Sequence, residues 1–169
     1  FLIKKKVRDF RNSLSRRIQY VIQSYKSYRS LKNIEKDLPE FQEVINGIQV
    51  FNKKLKSDHE YYTKELSSEE MAISLEQSSF LSAFFDVYKP EKVLDLGSGF
   101  SSFVFRGFPF SEVTSVDDNK FWLDKTKDFL ISKGKSFEDL IYWEDFNDKG
   151  KYDLVFHDLG SMQTREKSF

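Results

Sequence analysis

The segment Val93-Leu94-Asp95-Leu96-Gly97-Ser98-Gly99 decides the fold predicted for this 169-residue chain. It begins with a short, mostly apolar run of the length of a buried strand, and two glycines follow at once. Such a turn is typical of the point where a strand hands over to a helix. Glycines there let the backbone turn sharply and approach a ligand closely. An ordinary strand-to-helix turn that holds no ligand is the alternative interpretation.

Strands and helices alternate around this segment. Short apolar runs at residues 113–116, 140–143 and 152–156 predict three more strands. Apolar residues at helical spacing between residues 121 and 130 predict a helix after the second strand. This alternation is typical of an α/β protein with a Rossmann-like, doubly wound and mostly parallel sheet, of which the chain holds the first four strands. A ligand site is expected at the carboxyl ends of the strands.

Two helices are predicted ahead of the sheet. The first begins near Asp37-Leu38-Pro39-Glu40 and continues to about residue 55. The second is expected to be capped by Ser67, with Glu70 at the capping-box position, and to end before Pro90. Residues 57–62 interrupt the helical pattern between them. The chain is therefore divided into an N-terminal helical region, residues 1–57, and an α/β domain, residues 58–169.

The first 34 residues are strongly basic, with ten Lys and Arg residues and one acidic residue, although the whole chain carries no net charge. Apolar residues at steps of three and four predict an amphipathic helix with a basic side. Such a helix can pack on its own domain or on a sister subunit, lie on an anionic membrane surface, or bind nucleic acid. We rank these partners in that order, with nucleic acid the least favoured.

Several features point to the cytoplasm as the default location. The chain has no Cys, which excludes disulfides and thiolate metal sites. It also lacks an apolar run of the ~20 residues that span a bilayer. Its first residues do not resemble a signal peptide, because no long apolar stretch and no small-residue cleavage site follow the lysines. A peripheral position at the membrane, through the basic helix, stays open.

Two acidic residues narrow the class of ligand. Asp95 stands two residues before Gly97, where a carboxylate would repel the pyrophosphate of a dinucleotide but suit a ligand that carries an ammonium and a sulfonium. Asp117 ends the second predicted strand, where an acid accepts hydrogen bonds from ribose hydroxyls, and Asp118 is the alternate candidate. Helix capping by Asp117, Asp118 or Asn119 is compatible with that role.

Taken in order, these segments resemble the motifs of class I S-adenosylmethionine-dependent methyltransferases. The matching segments are residues 93–99, 113–117, 143–145 and 152–158. The resemblance covers roughly residues 70–160 and implies S-adenosylmethionine as the cofactor. The residues implied to contact it are Asp95, Gly97, Ser98 and Gly99 at the methionine part, Asp117 or Asp118 at the ribose, and Asp145 and Phe146 at the adenine.

A second, looser resemblance concerns the acceptor. Residues 75–81 are similar to the entry helix of catechol-type O-methyltransferases, although Ser78 replaces that family's glycine. In those enzymes an aspartate after the fourth strand binds a divalent metal, which implies Asp158 as a ligand for Mg²⁺. His157 beside Asp158 is a candidate general base, whereas His59 is expected at the surface. Residues 158–161 lack the motif of amino-group methyltransferases, which favours a hydroxyl of a small molecule or glycan as acceptor.

The position of the fourth strand also shapes the hypotheses. Complete class I methyltransferases have three further strands, so we expect this sequence to be a fragment, or a partner to cover the edge of the fourth strand. Two rival hypotheses stay open. One is a non-catalytic, methyltransferase-like assembly module whose N-terminal helix mediates oligomer or membrane contact. The other is a nucleotide-sugar or dinucleotide enzyme of related fold.

Overall fold

The computed structural model describes residues 40–68, 70–147 and 150–160. The chain divides into two compact units, Phe1–Gln42 and Glu43–Phe169. The predicted basic helix at residues 1–34 and the predicted helix start at residues 37–39 lie outside the described residues. The fold and the site below belong to the second unit.

The described elements begin with a run of helices and continue as alternating strands and helices. In chain order they are helix α1 (Phe41–Tyr61), a π-helical turn (Tyr62–Leu66), helix α2 (Leu75–Tyr88), strand β1 (Lys92–Leu96), helix α3 (Phe100–Phe105), strand β2 (Glu112–Asp117), helix α4 (Lys120–Ser132), strand β3 (Leu140–Tyr142), a 3-10 turn (Trp143–Asp145) and strand β4 (Leu154–His157). All four predicted strands are present, each within two residues of its predicted bounds.

The four strands form one parallel sheet in the order β3-β2-β1-β4. Strand β1 is central, with Val93 opposite Val113 of β2 on one side and Leu154 of β4 on the other. The chain order of the strands reverses between β1 and β4, which makes this position the topological switch point of the sheet. The α/β, Rossmann-like fold class predicted from the sequence is confirmed.

Alternate residues of the strands bury opposite faces of the sheet, as the two-residue period of a strand requires. Val93 packs in a cluster with aromatic residues of α2, α3 and α4, among them Phe85 and Phe129. Leu94 points to the other face, in a smaller cluster with Val116 and Leu159. The described helices therefore cover the first face, and this packing holds the end of β1 in place.

The start of α2 differs from the prediction. Ser74, and not Ser67, is the N-cap: the Gln77 amide donates to the Ser74 hydroxyl at 3.1 Å, and the Ser74 amide donates to the Gln77 side chain at 2.9 Å. Ser67 instead ends the π-helical turn, where its amide donates to the carbonyl of Tyr62. The expected cap was wrong because residues 67–68 and 70–73 do not form a helix, which sequence spacing alone does not reveal.

Residues 57–62, predicted as a junction, lie in the last turns of α1 and at the start of the π-helical turn. His59, expected at the surface, is buried. Its Nε2 lies 2.8 Å from the carbonyl of Ile73, and its ring meets Phe100 edge-on with 5.0 Å between centroids. That expectation was wrong because the partners of His59 are distant in the chain and are supplied by the tertiary fold.

No helix within residues 40–68, 70–147 and 150–160 combines the length and the apolar character that crossing a lipid bilayer requires.

Replacing the true cap should cost more than replacing the predicted one. Ser74→Ala removes the hydroxyl of the capping box and is expected to lower the free energy of unfolding by about 1 kcal/mol, or about 3 °C in Tm. Ser67→Ala serves as the matched control and should change stability by less than ~0.5 kcal/mol. Thermal unfolding followed by circular dichroism measures both, and equal losses would contradict the assignment of Ser74.

Candidate functional site

A cavity of about 360 Å³ opens at the carboxyl ends of β1, β2 and β4, at the switch point of the sheet. Its wall is formed by the turn after β1, by residues 117–119 after β2, by residues 158–160 after β4 and by Trp122 of α4. Tyr62, Ser67, Glu70 and Met71, which precede α2 in the chain, complete the wall. The volume lies in the ~300–1,000 Å³ range typical of small-molecule sites.

The wall of this cavity is acidic. Among the described residues that line it, four carry a carboxylate and none is Lys or Arg. The four acidic residues are Glu70, Asp117, Asp118 and Asp158. A concave surface of one sign concentrates ligands of the opposite charge. The cavity therefore favours a cationic ligand and disfavours one whose main feature is a phosphate group.

Gly97 makes the closest approach between the strand ends. Its φ is +108°, and a Cβ built there would lie 2.7 Å from the carbonyl carbon of Asp158 and 2.9 Å from the amide nitrogen of Leu159. Its own amide donates to the carbonyl of Val116 at 2.8 Å. Any side chain at this position would therefore collide with backbone that cannot move aside, so the position requires glycine.

Asp117 ties the turn after β1 to the end of β2. Its Oδ2 accepts hydrogen bonds from the amide and the hydroxyl of Ser98, at 2.8 and 2.9 Å, and its Oδ1 accepts from the amide of Asn119 at 2.8 Å. Burial raises the pKa of Asp117, against the lowering by these hydrogen bonds. A carboxylate has about four acceptor positions, so three are used within the protein and one remains for a ligand.

Asp95 is fully buried beneath α3 and does not line the cavity. Its carboxylate accepts hydrogen bonds from three serine hydroxyls: Ser101 at 3.0 Å, Ser102 at 2.6 Å and Ser115 at 2.9 Å. Burial raises the pKa of Asp95 to about 6, while the hydroxyls and the nearby Arg106 guanidinium act to lower it. Asp95 therefore stabilises the first turn of α3, directly after the glycine turn, from within the core.

Tyr62 is one of the cavity-wall residues that were not predicted from the sequence. It lies in the π-helical turn, which is rare and is often found at functional sites. Its side chain is buried, and burial raises the pKa of its hydroxyl to about 12. The sequence signal was the Tyr61-Tyr62 pair at the break in the helical pattern, which was interpreted only as a junction. Trp122 of the wall was also missed.

The remaining predicted residues fall into two groups. Asp118 and Asp158 line the cavity beside Gly97, Ser98 and Asp117. The others do not belong to its lining: Gly99 precedes α3, Asp145 is exposed in the 3-10 turn, Phe146 packs with the cluster around Leu94, and His157 lies on the same sheet face as Leu96. The structure therefore assembles five of the ten predicted residues around one cavity.

Metal binding at Asp158 stays a prediction. Within the part of the chain that the structure describes, no three His, Cys, Asp or Glu side chains are grouped so that they could hold a metal ion. Because Mg²⁺ is commonly held by one or two carboxylates and several waters, this finding does not test the role of Asp158, and no chemical step is assigned to a metal.

No protein-family model and no curated protein matches this sequence. The function is therefore inferred from the residues of the cavity and from the fold that positions them.

Gly97 and Gly134 allow a matched test of the close approach at the turn. Both have positive φ, but a Cβ at Gly134 meets no atom within 4 Å. Gly134→Ala should cost about 1 kcal/mol from backbone strain alone, whereas Gly97→Ala should cost at least ~3 kcal/mol because it adds a clash with backbone. Urea unfolding measures the difference. Equal losses in the free energy of unfolding for the two variants would contradict the expected clash with the backbone of Asp158.

The buried Asp95 should make stability depend on pH. Its folded pKa of about 6 is above its ordinary 3.8, so the folded state binds the proton more tightly, and stability falls as pH rises from about 4 to 6. Asp95→Asn removes this titration. Relative to wild type, the variant should gain up to about 3 kcal/mol between pH 4 and pH 7. Asp124→Asn, on the exposed side of α4, is the control. Parallel pH profiles of Asp95→Asn and wild type would contradict the expectation.

Proposed function

We propose that this chain binds S-adenosylmethionine and belongs to an enzyme that transfers its methyl group to a hydroxyl of a small molecule or glycan. The observation that carries the proposal is the acidic cavity at the switch point, bounded by the Gly97 turn and Asp117. S-adenosylmethionine is a nucleoside with a positively charged sulfonium and an ammonium, and an acidic wall suits those two charges.

Asp117 is suited to bind the ribose because its carboxylate keeps one acceptor position for a hydrogen bond. Ser98 and Asn119 hold the carboxylate in one orientation, and its remaining acceptor position suits a ribose hydroxyl. Asp118, exposed at the cavity wall, offers a second carboxylate for the neighbouring hydroxyl. A fixed carboxylate loses little conformational freedom when it binds, which favours affinity.

The glycine turn fits the amino-acid end of the same ligand. Gly97 carries no side chain, so the backbone between Gly97 and Gly99 can lie directly against the ligand. Asp158, across the close contact at Gly97, adds a carboxylate to this part of the wall. An ammonium group would be neutralised here, whereas the pyrophosphate of a dinucleotide would meet several negative charges.

When bound, S-adenosylmethionine supplies an electrophilic methyl group on a sulfonium sulfur. The chain's own part is to hold the cofactor, orient the acceptor oxygen in line with that methyl group and exclude water. Asp158 is the candidate to accept the proton of the acceptor hydroxyl because it lies at the cavity wall. His157, predicted as a general base, lies on the sheet face of Leu96 and does not line the cavity.

Calorimetric titration tests cofactor binding directly. The full chain should bind S-adenosylhomocysteine with a micromolar Kd, because a cavity of this size buries most of such a ligand. Asp117→Ala should weaken that binding at least tenfold, since it removes a charged acceptor and the anchor of Ser98.

Asp124→Ala, which removes an exposed carboxylate of α4 outside the cavity wall, should leave the Kd within about twofold of wild type. Thermal unfolding of each variant checks that it is folded at the titration temperature. Absence of binding by the folded wild-type chain would refute the proposal.

A further inference from the structure

Tyr62 joins the cavity to the helices that precede the sheet. Its ring packs against Phe100 of α3 and Phe129 of α4, with centroid distances of 5.5 and 4.9 Å. Only 3% of the residue is exposed, yet it is part of the cavity wall. The core therefore holds the ring in place while the residue forms part of the cavity wall.

Hydroxyl groups of Thr126 and Ser98 lie between Tyr62 and Asp117. Thr126 of α4 is close enough to the Tyr62 hydroxyl to act, through hydrogen bonding, to lower its pKa. The hydroxyl oxygens of Thr126 and Ser98 are 3.4 Å apart, and the Ser98 hydroxyl donates to the Asp117 carboxylate at 2.9 Å. The Tyr62 hydroxyl therefore lies near Asp117, whose charge also acts to raise its pKa.

The position of the hydroxyl relative to the glycine turn decides which end of a ligand it would meet. A Cβ built on Gly99 would lie 3.3 Å from the Tyr62 hydroxyl oxygen. The hydroxyl is therefore beside the turn proposed for the amino-acid end of the cofactor.

We infer that Tyr62 is a ligand-contacting residue whose hydroxyl hydrogen-bonds the amino-acid end of the cofactor. This inference rests on the proposed function and deepens it by adding an element from outside the α/β core to the site. Burial and the nearby carboxylates keep the pKa of Tyr62 at about 12, so the residue contacts the ligand as a neutral hydroxyl. A neutral hydroxyl can donate to a carboxylate or accept from an ammonium.

Two ligands that differ only in the amino-acid end test the inference. S-adenosylhomocysteine carries that end, whereas 5′-methylthioadenosine lacks it and keeps the adenine, ribose and sulfur. Tyr62→Phe removes the hydroxyl and keeps the ring that packs on Phe100 and Phe129. The variant should weaken S-adenosylhomocysteine binding roughly 3- to 10-fold, the value of one hydrogen bond, and leave 5′-methylthioadenosine within about twofold.

Matched variants separate this contact from general damage. Tyr61→Phe removes the exposed hydroxyl of the neighbouring residue and should change neither affinity. Asp117→Asn should weaken both ligands, because both contain the ribose. Thr126→Val removes the hydroxyl beside Tyr62 and keeps the tyrosine, and it should reproduce the selective loss in smaller measure. If thermal unfolding shows that Tyr62→Phe is not folded, the affinities of Thr126→Val for the two ligands test the inference in its place.

Each outcome has a separate meaning. A selective loss of S-adenosylhomocysteine binding in Tyr62→Phe supports the inference. An equal loss for both ligands, or no loss for either, overturns it and leaves the proposed function standing. Failure of the folded wild-type chain to bind either ligand overturns the proposed function and this inference together.

Discussion

The hydrogen bonds that the Asp117 carboxylate accepts from Ser98 join the ends of β1 and β2, and the cavity depends on them. In a parallel sheet no tight turn joins the ends of neighbouring strands, because each connection crosses back along the sheet. Here one carboxylate binds the turn after β1, while Gly97 packs that turn on the backbone after β4. Three strand ends are therefore held at fixed distances, and the space between them becomes a defined cavity.

The support beneath this turn carries an energetic cost. Asp95 is a carboxylate without contact to solvent, and a buried charge is tolerated only when it is well hydrogen-bonded. Serines at 101, 102 and 115 meet that need, and Arg106, which donates to the Ser115 hydroxyl at 2.7 Å, adds a compensating charge. An apolar residue in place of Asp95 would leave these hydroxyls without their acceptor. The network thus orders the first turn of α3 and the glycine loop before it.

The helices that precede the sheet contribute to the site through aromatic packing. Tyr62 and His59 both press on Phe100, which opens α3, and Tyr62 also contacts Phe129 of α4. Aromatic rings bury large areas and restrict one another's orientation, so these contacts set where the π-helical turn lies over the glycine loop. One wall of the cavity is therefore made by Tyr62, Ser67, Glu70 and Met71, which precede the alternating strands and helices in the chain.

The α/β class, the four strands and the glycine turn could be predicted from the sequence, because strand length, two-residue alternation and glycine conformation are local properties. The sequence also singled out Asp117, because a ligand site is expected at the carboxyl ends of the strands. The tertiary structure decided what depends on distant partners. It placed Asp95 under α3 and away from the cavity, buried His59 against Ile73, moved the helix cap to Ser74 and brought Tyr62 to the wall. Such positions follow from packing between segments far apart in the chain, which residue spacing does not encode.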